Sequence, residues 1–311
     1  MGSMPAEETP MKILPTCMLA LILATSSTSA LAGTPINETR DVDADARIDI
    51  SNVRGSVTVT AWDRNQVGIE GTLGSGNKGL EVVGNASHVE IKVQSAERSG
   101  WFNWDSESNV EDSILDIRVP AGVELSIETV SAEVTVNAVS GRLIDIDTVS
   151  GKVRVDSNAR EIEVGSVSGN VNVNGQGERA SVDSISGDIE LQSSHQDVQL
   201  ETVAGTINAR LGSYREFSAS SVSGDITLSG KPGSSGLVDA ETMSGDVTIV
   251  LPVDVSARLG AETFSGRIRS DFGSVSESQD GPGRSLNATI GSGDARVTVE
   301  SFSGDLTIRR E

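Results

Sequence analysis

The chain has 311 residues, of which 45 are Asp or Glu and 24 are Lys or Arg, so its net charge is −21. This acidic excess and the lack of a basic patch argue against a nucleic-acid-binding protein. The one cysteine, Cys17, lies ahead of a predicted cleavage site, so the mature chain has no thiol for a disulfide or a thiolate metal site.

Residues 1–32 are predicted to be a signal peptide with an upstream extension. Lys12 precedes an apolar run at 18–24, and small residues at 30 and 32 provide a cleavage site before Gly33. The run is too short to span a bilayer. We therefore expect an exported mature protein without a transmembrane segment, in the periplasm or at the cell surface.

Residues 33–120 are predicted to form an N-terminal, hairpin-rich β cap together with the first coils. Apolar and polar residues alternate over 47–59, 89–93 and 114–119, which is the period of a half-buried strand. A cap is expected because an exposed terminal coil would offer an unpaired edge to other chains.

Residues 121–311 repeat one phrase, which is clearest at 183–189 (DSISGDI). Its small central residue recurs at steps of 18–21 residues, apart from a last step of 38, and the copies are Ala132, Gly151, Gly169, Gly187, Gly205, Gly224, Gly245, Gly266 and Gly304. A fixed period near twenty is typical of a solenoid. The last step contains residues 286–292, which follow the pattern of 207–213 and predict a degenerate coil beginning near Arg284.

Three columns of apolar residues accompany the small residue, at two positions before it, two after it and seven before it. In the copy at Gly187 these are Ile185, Ile189 and Ala180. Alternation with polar residues predicts strands with one buried face, and the Ser-Gly pair, where Gly permits a positive φ, predicts a corner. The fold expected is an all-β solenoid, a single-stranded β-helix of about ten coils of 18–21 residues. A β-sandwich is the weaker alternative.

A column of acidic residues lies four positions before the small residue, with Gly165 and Ser220 interrupting it. Its members are Glu128, Asp147, Asp183, Glu201, Glu241, Glu262 and Glu300. Stacked carboxylates repel each other, and Ca²⁺ could relieve that repulsion as a structural metal. The interpretation we favour is a solvated face that keeps the rod soluble, because a Ca²⁺ site needs several converging oxygens. No other cofactor is expected.

Trp101, Phe102 and Trp104 form an aromatic cluster with two interpretations. Exposed rings would be a binding site for a sugar face or a partner. Buried rings would instead cover the end of the core, which is the interpretation we favour. His88 and His195 show no ligand spacing, and no nucleophile elbow or phosphate-binding loop occurs, so no catalytic residue is predicted.

Several phrases resemble a bacterial family of exported β-strand-repeat proteins that are labelled putative adhesins. They are the opening phrase with Gly55, Trp62-Asp63 and Val67, and the lead-ins at 119–125 and 251–255. The resemblance covers residues 47 to about 308. It implies a β-solenoid fold and an exported location, and it supplies no catalytic motif.

The leading functional hypothesis is a non-enzymatic adhesion or cell-envelope interaction rod that offers many weak contacts to an envelope polymer, a surface polymer or another protein. One alternative is a polysaccharide-acting β-helix enzyme, a lyase or a hydrolase, which requires carboxylates with Arg or Lys in a groove. Another alternative is a periplasmic signalling accessory.

Overall fold

A computed structural model describes residues 33–95, 110–277 and 282–311. The predicted signal peptide and the aromatic cluster of Trp101, Phe102 and Trp104 lie outside these residues. The described part contains 23 strands, which bond into one continuous sheet. None of the described residues belongs to a helix that could cross a membrane.

The strands fall into three groups along the chain. The N-terminal strands are β1 (Thr34–Asp41), β2 (Arg47–Trp62), β3 (Gln66–Leu73), β4 (Asn77–Asn85), β5 (His88–Ser95), β6 (Ser113–Pro120) and β7 (Glu124–Asn137). The strands of the regular repeats are β8 (Leu143–Thr148), β9 (Val153–Ser157), β10 (Glu161–Ser166), β11 (Val171–Gly175), β12 (Arg179–Ser184), β13 (Ile189–Ser193), β14 (Asp197–Thr202), β15 (Ile207–Ser221) and β16 (Ile226–Thr242). The C-terminal strands are β17 (Val247–Leu251), β18 (Ala257–Thr263), β19 (Ile268–Ser270), β20 (Val275–Glu277), β21 (Arg284–Ile290), β22 (Ala295–Ser301) and β23 (Leu306–Arg310).

Successive repeats stack in parallel, as the alternating sequence pattern predicts. The strands before each corner pair as β8–β10–β12–β14, and the strands after it pair as β9–β11–β13. Equivalent positions face each other, so that Val164 is the partner of Ile146 on one side and of Val182 on the other. The chain is therefore all-β with a solenoid-like arrangement.

The core is a narrow column between the strands before and after the corners. The apolar residues two positions after the corner glycine are buried, with Val153, Val171 and Ile189 no more than 1% exposed. Those seven positions before it are equally buried, as at Ile144 and Val198. Two of the three predicted apolar columns thus form the core, which is stabilised by roughly 25 cal/mol per Å² of apolar surface removed from water.

The corner is held by a hydroxyl group that lies three positions before the glycine. The Thr148 Oγ1 accepts a hydrogen bond from the Gly151 N–H at 3.1 Å, and the Ser184 Oγ accepts one from Gly187 at 2.9 Å. The same bond recurs at the other regular corners, at 2.7–3.0 Å. Because these hydroxyls satisfy a buried amide, small polar side chains occupy positions that face the core.

Glycine is required at the corner by close packing and not by a positive φ. Gly187 has no left-handed conformation, and a Cβ at this position would lie 2.1 Å from the Gly169 carbonyl oxygen in the preceding coil. The expectation of a left-handed glycine was therefore wrong at the regular corners. At Ala132 strand β7 continues without a turn, and the residue that pairs with it is Gly55, which has a φ of 109°.

The last coil does not stack in sequence order. Strand β22 pairs in parallel with both β16 and β18, and β23 pairs with both β17 and β19. The C-terminal coil is therefore inserted between two earlier coils. The degenerate coil expected near Arg284 is absent, since β21 runs antiparallel to β18 and to β20 as a hairpin at the end of the stack. The chain reverses direction after β20, so this segment cannot continue a parallel coil.

At the other end, the N-terminal strands add antiparallel pairs to the stack. Strand β2 pairs in parallel with β7 on one side and with β5 and β6 on the other. Strands β4 and β3 then pair antiparallel with β5 and β6, and β1 pairs antiparallel with β3. Hairpins thus lie at both ends of the stack.

The close approach of coils gives a direct test. Gly187→Ala is expected to lower the free energy of unfolding by ~2 kcal/mol, because the new methyl group must push two backbones apart. Gly79→Ala is the matched control, since no atom lies within 4 Å of its added Cβ. Urea unfolding at 25 °C measures both, and an equal effect of the two changes would contradict the packing role of Gly187.

Candidate functional site

Ten apolar side chains form an exposed row along the whole stack, which we call the apolar ladder. They occupy the position two residues before the corner glycine and are between 37% and 60% exposed. In stacking order they are Val53, Val130, Val149, Val167, Ile185, Val203, Val222, Met243, Phe302 and Phe264. The alternating pattern predicted this column as part of the buried face, and that prediction was wrong.

The ladder faces outward because the corner hydroxyl faces inward. Ser184 is 6% exposed and turns to the Gly187 amide, so the next side chain, Ile185, must point to solvent. The backbone at Ile185 donates to the Ser166 carbonyl at 3.1 Å. The Ser186 Oγ donates at 3.2 Å to the carbonyl of Val167, the ladder residue of the preceding coil. The backbone at this ladder position is therefore fixed by hydrogen bonds to the preceding coil.

The largest side chains of the ladder lie at its C-terminal end. Phe264 and Phe302 stack with their ring centroids 4.9 Å apart and an angle of 9° between the planes. Met243 lies in the coil below, whose Thr242 carbonyl accepts a bond from the Phe302 amide at 3.1 Å. The insertion of the last coil places Phe302 between Met243 and Phe264, whose coils are consecutive in sequence.

The acidic column predicted from the sequence runs beside the ladder, two residues earlier on each strand. All seven of its carboxylates are exposed. The structure orders them as Glu128–Asp147, then Asp183–Glu201, then Glu241–Glu300–Glu262. Gly165 separates the first two groups, and the Asp147 carboxylate extends over it, since a Cβ there would lie 2.5 Å from the Asp147 Oδ1.

The carboxylates of this column have no cationic partner among the residues that the structure describes. Ion pairs on the same sheet involve other acidic positions, such as Arg142 with Glu124 at 2.7 Å and Arg47 with Asp49 at 2.8 Å. Partial burial, followed by the charges of Glu201 and Glu163, raises the pKa of Asp183. The column is thus a row of uncompensated negative charge.

The two columns line a continuous groove along the stack. Its walls are the carboxylate column, the row of corner hydroxyls and the apolar ladder, and its volume is about 2220 Å³. Pockets for drug-sized molecules measure roughly 300–1,000 Å³. With ten ladder positions spaced ~4.8 Å apart, the groove is ~43 Å long. The length of the groove suits an elongated partner, and its volume is larger than that of a pocket for one small molecule.

The geometry does not gather the acidic residues into a metal centre. Among the residues that the structure describes, no group of three His, Cys, Asp or Glu side chains is placed to hold an ion. Ca²⁺ binds 6–8 oxygen ligands at roughly 2.3–2.6 Å, and a column with one carboxylate on each strand provides fewer oxygens than that. A structural Ca²⁺ at this column stays a prediction.

The two histidines lie outside the groove. His88 is exposed, and its Nε2 lies 2.7 Å from the Asp49 Oδ2. His195 is fully buried at the opposite corner of its coil, where neither ring nitrogen has a protein partner in the described part of the chain. Gly177 makes room for it, since a Cβ there would lie 2.8 Å from the imidazole. Neither histidine neighbours a nucleophile in the groove.

The repulsion within the column predicts a pH-dependent mutant effect. The charge of Asp239, partial burial and the charge of Glu300 raise the pKa of Glu241, so its ionised form destabilises the folded chain. Glu241→Gln is therefore expected to raise the free energy of unfolding by ~0.5 kcal/mol at pH 7. The gain should disappear as the pH falls below 4.5, the ordinary pKa of a glutamate, because Glu241 is then protonated in the folded and the unfolded chain. The control Glu133→Gln removes the same charge outside the acidic column. Urea unfolding measures both variants, and an equal increase in the free energy of unfolding would contradict the repulsion within the column.

Burial of His195 predicts loss of stability in acid. Burial lowers the pKa of His195 from its ordinary 6.5 to about 4. Between these two pH values the imidazole is therefore protonated in the unfolded chain and neutral in the folded chain. Stability present above pH 6.5 should fall by on the order of 3 kcal/mol between pH 6.5 and 4. His195→Leu should flatten this dependence in urea unfolding, with His88→Gln as the control. An unchanged slope in His195→Leu would contradict the assignment.

The fold is similar to that of a solved bacterial protein. A protein of Parabacteroides distasonis described as a putative lipid binding protein has a TM-score of 0.52 and 15% identity, with 90% of this chain and 97% of that chain covered. A Parabacteroides merdae protein described as a putative adhesin has a TM-score of 0.44 and 11% identity, with 90% of this chain and 97% of that chain covered. A Bacteroides fragilis protein with the same description has a TM-score of 0.40 and 13% identity, with 90% of this chain and 99% of that chain covered. No curated protein matches the chain.

A family model covers nearly all of the described chain. The Toastrack DUF4097 model matches residues 46–309, which agrees with the resemblance from 47 to about 308 predicted from the sequence. The β-strand-repeat family inferred from Gly55, Trp62 and the lead-in phrases is therefore confirmed. The chain belongs to the Toastrack DUF4097 family.

Proposed function

We propose that the protein is an exported, non-enzymatic interaction rod of the adhesin type, which binds an elongated partner along its groove. The observation that carries this proposal is the apolar ladder, ten exposed apolar side chains in one continuous row. Soluble proteins rarely expose such a contiguous apolar surface unless it is a binding site. The acidic column beside it keeps the free chain soluble.

The rigidity of the ladder supports a binding role. The carbonyl of every ladder residue except the last, Phe264, accepts a bond from the next coil, as Val149 does from the Ser168 Oγ at 3.2 Å. A surface that is already ordered loses little entropy on binding. Repeated weak contacts along one partner then add up to a useful affinity.

The rod itself is proposed to consist of ten coils, from the Gly55 coil to the Gly266 coil, capped by hairpins at both ends. The predicted signal peptide supports an exported location, as do the structural neighbours described as adhesins. A protease added to intact cells distinguishes a location at the cell surface from one in the periplasm. Digestion of the chain would place it at the surface, and protection until the envelope is broken would place it in the periplasm.

Two other functions are less well supported by the groove. One structural neighbour is described as a putative lipid binding protein, and the apolar ladder could contact acyl chains. The carboxylate column, however, repels the anionic headgroups of bacterial lipids. For a polysaccharide lyase or hydrolase, Arg or Lys would have to accompany the carboxylates, and in the described part of the chain no cation pairs with the column. Release of oligosaccharides from envelope glycan by the pure chain would contradict the non-enzymatic proposal.

The ladder gives the test of this function. The variant Met243→Ser/Phe264→Ser/Phe302→Ser is expected to bind isolated cell envelopes at least tenfold more weakly than the wild type, because the large apolar contacts are lost. The labelled, mature chain is used in a sedimentation assay. The matched control is Ile114→Ser/Leu237→Ser/Val253→Ser, which removes three exposed apolar side chains outside the groove.

Envelope binding that is equal in the wild type and the ladder variant would overturn the proposed function. Urea unfolding of both variants shows that the folded state is retained. A loss in the control variant as large as that in the ladder variant would also count against the groove, since it would indicate a general effect of exposed apolar surface.

A further inference from the structure

The groove presents the same pair of chemical groups again and again. On seven strands an acidic residue lies two positions before a ladder residue, as Asp183 does before Ile185 and Glu300 before Phe302. Both side chains point outward, and two residues of a strand span ~6.6 Å. A partner that satisfies both columns must therefore carry an apolar edge and a cationic edge side by side.

The charges exclude several kinds of occupant. Negative charge is uncompensated along the column in the part of the chain that the structure describes, and the pKa values of Asp183 and Glu241 are raised partly by neighbouring carboxylates. An anionic lipid surface, a uronic-acid polymer or a nucleic acid would add to this repulsion. A second copy of this chain, with its net charge of −21, would bring a second carboxylate column to the contact. The complementary partner is cationic.

The spacing of the coils indicates the conformation of a polypeptide partner. A polyproline II helix has three residues per turn and rises ~9.3 Å per turn, which nearly equals the ~9.6 Å of two coils. A β-strand repeats its side chains every ~6.8 Å and an α-helix every ~5.4 Å, and neither period matches one or two coils as closely. In a polyproline II chain with one basic and one apolar residue in every three, the basic residues lie along one edge and the apolar residues along another. Each edge then repeats at nearly the spacing of two coils, so it can follow the carboxylate column or the apolar ladder.

Cationic side chains at the two ends of the groove limit the length of a basic partner that can bind in it. Lys78 and Lys92 line the end at strands β4 and β5, where a basic partner would be repelled. At the other end Arg284 donates to the Gly266 carbonyl at 2.5 Å and pairs with Glu277 at 3.5 Å. The acidic column between them spans nine coils, or ~38 Å, which is the length of about 12 residues of polyproline II.

We propose that the partner in the groove is a basic polypeptide segment in an extended, polyproline II-like conformation. Its apolar residues lie on the apolar ladder, and its Lys or Arg residues contact the carboxylate column. This inference rests on the proposed function, because it names the partner class of the same groove. The segment belongs to another protein of the envelope or its surroundings, and its sequence has apolar and basic residues at intervals of three.

The first experiment measures binding of a designed probe to the mature chain by fluorescence anisotropy. The probe is a labelled 12-residue peptide with four Lys-Leu-Pro repeats. Two matched peptides, with Glu in place of Lys or Ser in place of Leu, are expected to bind at least tenfold more weakly. Raising the salt to 1 M should weaken binding of the first peptide, because charge contacts at the surface are screened.

A pair of protein variants assigns the contact. Glu241→Gln/Glu262→Gln/Glu300→Gln should weaken binding of the Lys-Leu-Pro peptide at least tenfold, and it relieves repulsion, so the fold is retained. The control Glu133→Gln/Glu190→Gln/Glu311→Gln makes the same change in net charge at exposed positions outside the groove, and its affinity should stay within twofold of the wild type.

Three results would overturn this inference. They are equal binding of the Lys and Glu peptides, equal effects of the two glutamate variants, and tighter binding of phosphatidylglycerol vesicles or of a peptide with six Lys-Leu repeats. The proposed function has its own readout, the loss of envelope binding in the ladder variant. If that loss is observed while the Lys-Leu-Pro peptide does not bind, the groove remains the binding site and the basic extended partner is wrong.

Discussion

The structure depends on the corner, where a buried hydroxyl accepts the amide of a glycine that packs on the preceding coil. At Ser184 and Gly187 this bond is 2.9 Å long, and the space above the glycine is filled by the Gly169 carbonyl. The bond turns the hydroxyl inward and the following apolar residue outward. Repeated through the stack, one local constraint produces both the close spacing of the coils and the apolar ladder on their surface.

The groove combines two features that oppose stability. Carboxylates such as Glu241, Glu300 and Glu262 face each other on adjacent strands, and large apolar side chains remain in contact with water. Like charges directly opposite each other destabilise a sheet, and exposed apolar surface gains nothing from folding. Proteins depart from such rules mainly at functional sites. The concentration of both departures in one groove is the physical reason for the proposal that the groove binds a partner.

The insertion of the last coil sets the order of the side chains at one end of the groove. Because β22 lies between β16 and β18, Phe302 lies between Met243 and Phe264, and Glu300 lies between Glu241 and Glu262. The C-terminal coil is also bonded on both sides by earlier coils. A chain that stacked in simple sequence order would leave that coil as an exposed edge, which is a site for unwanted pairing.

The sequence by itself determined the strands, the period and the acidic column, because these follow from local patterns of apolar, β-branched and glycine residues. The family also followed from short phrases around Gly55 and Trp62. Only the tertiary structure decided that the ladder at Ile185 faces water, that β21 runs antiparallel and that the last coil is inserted. Nearly equivalent repeats can pair with one another in the same register, so their order is set by chain connections. The direction of a side chain at a corner is likewise set by a hydrogen bond, which an alternating pattern does not contain.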